Sequence, residues 1–146
     1  MKQRKCDIFR AVALTLALAT VSGLSADILR ARSTQSSGPL EFVCDSVDFR
    51  PDLTRVYGKF NGRPHTSNRV DSMTMDRLLA PLPCTDLDGV DLKRWFQYED
   101  EGTIPVEIDF GPCTPAEELT VRAVTARGQS VWKLTLIPKA EKTRKK

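Results

Sequence analysis

The sequence has few of the residues and motifs on which common catalytic and metal sites depend. His65 is its one histidine, and no Gly-x-Ser-x-Gly elbow, Walker loop, dinucleotide-binding glycine pattern or His-Glu-x-x-His motif occurs. The four cysteines form no Cys-x-x-Cys pair, which argues against a thioredoxin-type redox centre and a zinc ribbon. Because no base, nucleophile and orienting group form a recognisable pattern, the sequence predicts a protein that is not an enzyme and that needs no cofactor.

Positive charge is scarce in the middle of the chain. The formal net charge of +3 comes from the two ends, because residues 27–138 contain 13 Lys and Arg against 17 Asp and Glu. A domain that binds duplex nucleic acid normally has a basic face. The composition therefore argues against nucleic-acid binding, and the basic residues 139–146 are predicted to form a disordered tail.

No apolar run is long enough for a stable transmembrane helix. The longest run, residues 11–21, would span roughly 16 Å as a helix, about half of a bilayer core of roughly 30 Å. A cationic segment precedes this run and small residues follow it, which is the order of a secretory signal peptide. We therefore expect residues 1–26 to be cleaved and the protein to reach the periplasm, cell envelope or medium, without stable membrane insertion afterwards. A retained N-terminal helix is the alternative, because charged residues lie close to the run.

Export would leave three cysteines in an oxidising compartment, where one disulfide and one free thiol are expected. Cys84 and Cys113 are predicted to lie in proline-containing loops, whereas Cys44 lies in an apolar run typical of a buried free thiol. The sequence favours a disulfide between Cys84 and Cys113. The alternative is that no disulfide forms.

Short runs of alternating residues predict an all-β fold. Residues 27–39 are polar and lack a period, which predicts a flexible tether. Beyond them, proline and glycine limit helix to one or two turns at 75–79 or 91–96. The predicted strands comprise residues 41–49, 54–60, 69–75, 103–110, 119–125 and 130–137. Six or seven such strands over residues 40–138 indicate a small antiparallel β-sandwich, immunoglobulin-like or barrel-like.

The same alternation predicts which side chains are buried. In the strand 103–110 the apolar residues should face the core, while Glu107 and Asp109 should face water. Pro105 in that strand argues for a strand start or a sheet edge. A hairpin is predicted around Arg127-Gly128, with Trp132 on its buried face.

One cluster of aromatic residues is the leading candidate for a binding site. Residues 93–98 read Lys-Arg-Trp-Phe-Gln-Tyr, and Arg94, Trp95 and Tyr98 provide the cation and aromatic faces on which a sugar, base or peptide can stack. The alternative, which the sequence favours, is that two of the rings close the core. On that interpretation Trp95 or Phe96 is buried.

Two polar groups are weaker candidates. Asp86, Asp88 and Asp91 surround Gly89 in a pattern like part of a calcium loop, although a turn with Asp side chains capping backbone amides fits better. His65 lies in a polar loop without an evident catalytic partner.

Several short stretches resemble a β-sandwich module of Bacteroidota cell-envelope proteins, which often precedes a thioredoxin-like domain. They are Thr54-Arg55-Val56-Tyr57, Gly89-Val90-Asp91-Leu92, Trp95-Phe96, Glu99-Asp100-Glu101-Gly102 and the strand 106–110 with Gly111-Pro112. The resemblance spans residues 40–138 and implies a β-sandwich. The chain differs from the family at residues 113–118, and it has neither a downstream thioredoxin-like domain nor its Cys-x-x-Cys pair, so the disulfide chemistry of the longer relatives is not implied.

Two functional hypotheses follow from these features. The first is an exported, non-enzymatic β-sandwich that binds a protein or glycan partner in the cell envelope. The second is an exported enzyme or enzyme inhibitor that uses His65 or the acidic loop Asp86–Asp91.

Overall fold

The computed structural model describes residues 27–139 as nine β-strands joined by turns and loops. The strands are β1 (Asp27–Ser37), β2 (Glu41–Phe49), β3 (Thr54–Asn61), β4 (Ser67–Met75), β5 (Leu82–Asp88), β6 (Trp95–Gln97), β7 (Thr103–Phe110), β8 (Glu118–Thr125) and β9 (Gly128–Leu136). The predicted signal peptide and the predicted tail beyond Lys139 lie outside the described residues. The described part contains no helix that is long and apolar enough to cross a membrane.

Eight of the strands close into an antiparallel barrel. Around the ring the order is β1, β2, β3, β7, β5, β4, β8 and β9, and β9 pairs again with β1. The ninth strand, β6, lies outside the ring and pairs with the first three residues of β4. Closure satisfies the backbone hydrogen bonds that an open sheet would leave at its edges.

The predicted class, all-β and antiparallel, is confirmed, but the expected sandwich of six or seven strands is not what forms. Nine strands are present, and eight of them close on themselves. The short helices expected at 75–79 and 91–96 do not occur in the described chain. Residues 76–81 form a loop, and at Lys93 a φ of 65° interrupts the second segment before β6 begins.

The prediction of a flexible tether at residues 27–39 is wrong, because residues 27–37 form strand β1. The first half of β1 pairs with β2, from Asp27 opposite Phe49 to Arg30 opposite Ser46. After an irregularity between Ala31 and Ser33, its second half pairs with β9. Most of its side chains point away from the core, with Leu29 as the buried exception, so its composition looks like that of a linker.

Polar side chains of β1 also complete the barrel wall where β1 and β2 separate. The backbone N–H of Cys44 donates to Thr34 Oγ1 at 2.9 Å, and the N–H of Phe42 donates to Ser36 Oγ at 3.0 Å. These hydroxyls replace strand partners that β2 lacks at these positions. The Ser and Thr residues that suggested a tether therefore stabilise the wall.

The core fills the barrel and is richest in aromatic rings near one end. Phe42 stacks on Trp132 with ring centroids 4.7 Å apart, and Phe60 lies 5.9 Å from Trp132. The buried Trp132 indole donates to the carbonyl of Leu40 at 2.9 Å. Phe96 packs on Phe60 at 6.0 Å, so it covers the open end of this cluster.

The barrel has two ends that carry different loops. The terminal end, where the described chain begins and finishes, carries loops 50–53, 76–81 and 111–117. The β6 end carries turns 38–40, 62–66, 89–94, 98–102 and 126–127 together with β6.

Two predictions for the strand now called β7 need adjustment. Asp109 points away from the core as expected, but it is only 7% exposed because Arg55 covers it with hydrogen bonds of 2.7 and 2.9 Å.

Pro105 lies inside the ring of strands rather than on an edge strand. It is tolerated because β5 ends opposite Glu107, so Pro105 pairs with Lys59 of β3 and has no partner in β5.

Candidate functional site

Strand β6 presents Trp95 to solvent and packs the half-buried Phe96 against the core. It runs antiparallel to the start of β4, with Trp95 opposite Arg69 and Phe96 opposite Asn68. The N–H of Lys93 donates to the Val70 carbonyl at 2.7 Å, which fixes the turn before β6. Since neighbouring strand residues point in opposite directions, Phe96 enters the core and Trp95 projects outward with 58% of its surface exposed.

The Trp95 ring is held by a cation that is itself fixed. Arg69 Cζ lies 5.2 Å from the indole centroid, which is within cation–π range. The same guanidinium donates to both carboxylate oxygens of Asp71, at 2.7 and 3.2 Å. The hydrogen bond and the charge of Arg69 lower the pKa of the Asp71 carboxyl, so the pair stays ionised at neutral pH.

Further cations lie on the segments next to this ring. Lys93 and Arg94 are exposed on the turn that precedes it, and Lys93 is close enough to add its charge to the environment of Asp71. Arg127, on the β8–β9 turn, donates from Nε to the Ser67 carbonyl at 2.9 Å. We call Trp95, Arg69, Lys93, Arg94 and Arg127 the Trp95 surface.

The residues predicted for a binding site separate in the structure. Trp95 and Arg94 are both exposed on the Trp95 surface, whereas Tyr98 is buried, 4% exposed, with its ring centroid 5.6 Å from that of Phe96. Burial raises the pKa of the Tyr98 hydroxyl to about 12. Of the two residues expected in the core, Phe96 is half-buried against it, whereas Trp95 points the other way because the strand alternates.

Sequence reasoning did not identify Arg69 and Arg127 as part of this surface. Strand register brings Arg69 to Trp95, 26 residues away in the sequence, and the β8–β9 turn brings Arg127 to Ser67 at the start of β4, 60 residues away. A single sequence contains no signal for such a pairing.

The candidate calcium ligands Asp86, Asp88 and Asp91 do not form one site. Asp86 and Asp88 lie on β5 opposite Asp109 and Glu107, and Asp91 follows in the next turn. Within residues 27–139 no group of three or more His, Cys, Asp or Glu side chains could hold a metal ion.

His65 forms an exposed pair with a carboxylate. Its Nε2 lies 2.9 Å from Asp100 Oδ1, and the two side chains are 61% and 91% exposed. Its backbone, at a φ of 67°, donates to the Tyr98 carbonyl. In the described part of the chain no hydroxyl or thiol is hydrogen-bonded to this imidazole, so the geometry offers an acid–base pair without a nucleophile.

The three cysteines of the described region are free thiols. Cys84 Sγ donates to the Asp86 carbonyl at 3.3 Å, and Cys113 Sγ lies 3.3 Å from Thr54 Oγ1. The structure therefore does not form the predicted Cys84–Cys113 disulfide, which stays a prediction for the exported protein. Burial raises the pKa of Cys44 to about 12 and that of Cys84 to about 11, which makes both thiols poor nucleophiles at neutral pH.

No family model matches the chain, and no curated protein or solved structure is significantly similar to it. The resemblance to the Bacteroidota envelope module therefore stays a prediction. Any functional assignment has to come from the barrel and its surfaces.

Proposed function

We propose that the protein is an exported, non-enzymatic accessory module of the cell envelope that binds an acidic, extended segment of a partner protein on the Trp95 surface. The observation that carries this proposal is the Trp95 indole, 58% exposed and held by Arg69. Export rests on the predicted signal peptide, residues 1–26.

The Trp95 surface has the composition of a protein-binding hot spot. Tryptophan and arginine contribute disproportionately to binding free energy at protein interfaces. Because Arg69 is fixed by Asp71, little side-chain entropy is lost when a partner covers the ring. Lys93, Arg94 and Arg127 add positive charge, which favours an acidic partner.

The shape of the region favours an extended peptide over a sugar. Trp95 is 58% exposed and lines none of the cavities at Gly58 and Gly89, beside the chain ends, or at the loop 77–82, so its ring lies on an open face. Strand β6 pairs with β4 on one side and, among the described residues, has no strand on the other. Its free edge offers backbone groups to which a peptide strand can be added.

The test is a titration with poly-L-glutamate, followed by tryptophan fluorescence and by calorimetry. Trp132 is fully buried, so a change in emission reports mainly on Trp95. We expect Trp95→Ala to weaken binding at least about tenfold and Arg94→Gln to weaken it about threefold. Lys133→Gln, which removes an exposed cation from the barrel wall on β9, is the matched control and should bind normally.

Two results would contradict the proposal. Equal binding by Trp95→Ala and the unmodified protein would show that the Trp95 surface is not the site. Binding of polygalacturonate but not of poly-L-glutamate, with the same dependence on Trp95, would assign the surface to an acidic glycan instead.

A further inference from the structure

Cys84 and Cys113 lie beside one row of inward-facing side chains at the terminal end of the barrel. Phe110 of β7 is opposite Cys84 of β5 on one side and opposite Thr54 of β3 on the other. Residues directly opposite in antiparallel strands point to the same face, so these three side chains line the core side of the wall. Cys113 belongs to the loop 111–117, which we call the β7–β8 loop, and it also packs against the core.

The structure holds the two thiols at different ends of this row. Cys113 Sγ lies 3.3 Å from Thr54 Oγ1, whereas Cys84 Sγ donates to the carbonyl of Asp86 at 3.3 Å. Neighbouring strands are about 4.8 Å apart, so the row from β3 to β5 is roughly 10 Å wide. The Cys113 sulfur therefore has to leave Thr54 and approach β5 before it can bond to Cys84.

The β7–β8 loop is anchored at its ends and weakly held between them. The carbonyls of Gly111 and Glu117 accept hydrogen bonds of 2.9 and 2.7 Å, from a hydroxyl of β3 and a backbone N–H of β9. Between these ends, the described residues give the loop one exposed hydrogen bond of 3.3 Å from Arg77 and the contact of Cys113 with β3. The middle of the loop can therefore shift towards β5 at the cost of two long contacts.

The same part of the loop lines an open apolar groove. Pro112 and Cys113 line this groove, of about 410 Å³, together with Leu82 and the exposed leucines of the loop 76–81. Leu82 lies two positions before Cys84 and therefore on the same face of β5. A bond between Cys113 and Cys84 draws Pro112 over Leu82, which narrows the groove.

From this geometry we propose that Cys84 and Cys113 form a redox switch that controls the apolar groove. In the dithiol state, Cys113 contacts Thr54 and the groove is open, as in the structure. In the oxidised state, the two sulfurs are bonded and the β7–β8 loop covers Leu82. The proposal does not depend on the Trp95 surface, which lies at the opposite end of the barrel.

The oxidant is a disulfide, of which oxidised glutathione is the simplest example. The Cys113 thiolate attacks this disulfide and releases one glutathione thiolate, which takes up the proton that Cys113 lost. The Cys84 thiolate then attacks Cys113 Sγ and releases the second glutathione in the same way. One S–S bond forms in the protein and one breaks in the oxidant, so two electrons and two protons pass from the two cysteines to the two glutathione thiols.

The first test measures which cysteines pair in the full chain. The chain carries Cys6→Ser, so that only the three cysteines of the described region react. It is equilibrated in glutathione buffers of increasing oxidised fraction, alkylated and digested, and the peptides are identified by mass spectrometry. We expect a Cys84–Cys113 peptide to form as the oxidised fraction rises, while Cys44, 6% exposed, stays reduced. Cys44→Ser is the matched control and should form the same bond.

The second test measures the groove with anilinonaphthalene sulfonate, a dye whose emission rises on exposed apolar surface. We expect the dithiol form to give at least about twofold more emission than the disulfide form. The difference should vanish in Cys84→Ser, and it should shrink in Leu79→Ser, which removes apolar surface from the groove. Val124→Ser removes an exposed apolar residue at the β6 end and should retain the difference.

Three outcomes would overturn the proposal. They are the absence of a Cys84–Cys113 peptide in fully oxidised buffer, a disulfide that joins Cys44 or a second copy of the chain instead, and equal dye emission from the dithiol and disulfide forms.

Discussion

Trp95 and Phe96 are adjacent in the chain, yet they contribute to different properties of the molecule. We expect Trp95→Ala to lower the free energy of unfolding by less than about 1 kcal/mol, because its ring is 58% exposed. Phe96→Ala should cost about 2–3 kcal/mol through lost packing on Phe60, and Trp132→Ala about 3–5 kcal/mol through a cavity among the buried aromatic rings. Urea midpoints of the three variants measure this order. A Trp95→Ala midpoint as low as that of Trp132→Ala would contradict it.

The buried thiol of Cys44 makes stability depend on alkaline pH. Burial, and secondarily the charge of Asp45, raises its pKa from 9.0 to about 12, so the native state retains a proton that the unfolded chain releases. This contribution is fully present below pH 9.0 and is lost as the pH rises towards 12. We expect the urea midpoint to fall across that window, and to fall less steeply in Cys44→Ala. Burial also raises the pKa of the Tyr98 hydroxyl, so part of the fall in the urea midpoint with pH should persist in Cys44→Ala. An unchanged slope in Cys44→Ala would contradict this prediction.

At the scale of elements, β1 is the strand on which closure of the barrel depends. It pairs with β2 through its first half and with β9 through its second. A chain that starts at Leu40 would leave β2 and β9 with unpaired edges, and we expect it to lose cooperative unfolding and to elute as aggregates. Circular dichroism melting and gel filtration measure both properties, and a chain that starts at Asp27 is the control. A cooperative, monomeric protein from the shorter chain would show that residues 27–39 act as a tether after all.

The elements that were predictable from sequence are those whose alternation reports burial on one face. Strand β3 alternates between buried and half-buried residues along its whole length, and the β8–β9 hairpin has its turn at Arg127-Gly128 as expected. Strand β1 was missed because its outward-facing side chains are polar, and β6 because three residues are too few to show a period. Strand β5 was missed because Pro83 suggested a loop there, so Cys84 lies on a strand and not in the predicted loop. Only part of the Trp95 surface could be predicted from the sequence. The aromatic run is visible in the sequence, but the contact of Arg69 with Trp95 depends on strand register.

The whole molecule places the Trp95 surface and the exposed Leu78 and Leu79 at opposite ends of the barrel. Trp95 lies on β6, whereas Leu78 and Leu79 lie on the loop after β4, beyond the other end of that strand. Substitutions at the two ends should therefore change the free energy of unfolding independently, since substitutions at separated sites usually have additive effects.

The pairing of β1 with β9 also determines when the protein can finish folding. The N–H of Leu40 donates to Ser130 Oγ and the indole of Trp132 donates to the Leu40 carbonyl, which are contacts between residues 90 and 92 positions apart. A chain that emerges amino end first, from a ribosome or through a translocation channel, holds an open sheet until β9 has also emerged. Such non-local contacts slow folding towards the millisecond-to-second range. During that interval the unpaired edges of β1 and β8 are open to strands of neighbouring chains, so crowded synthesis should favour strand-exchanged oligomers over monomers.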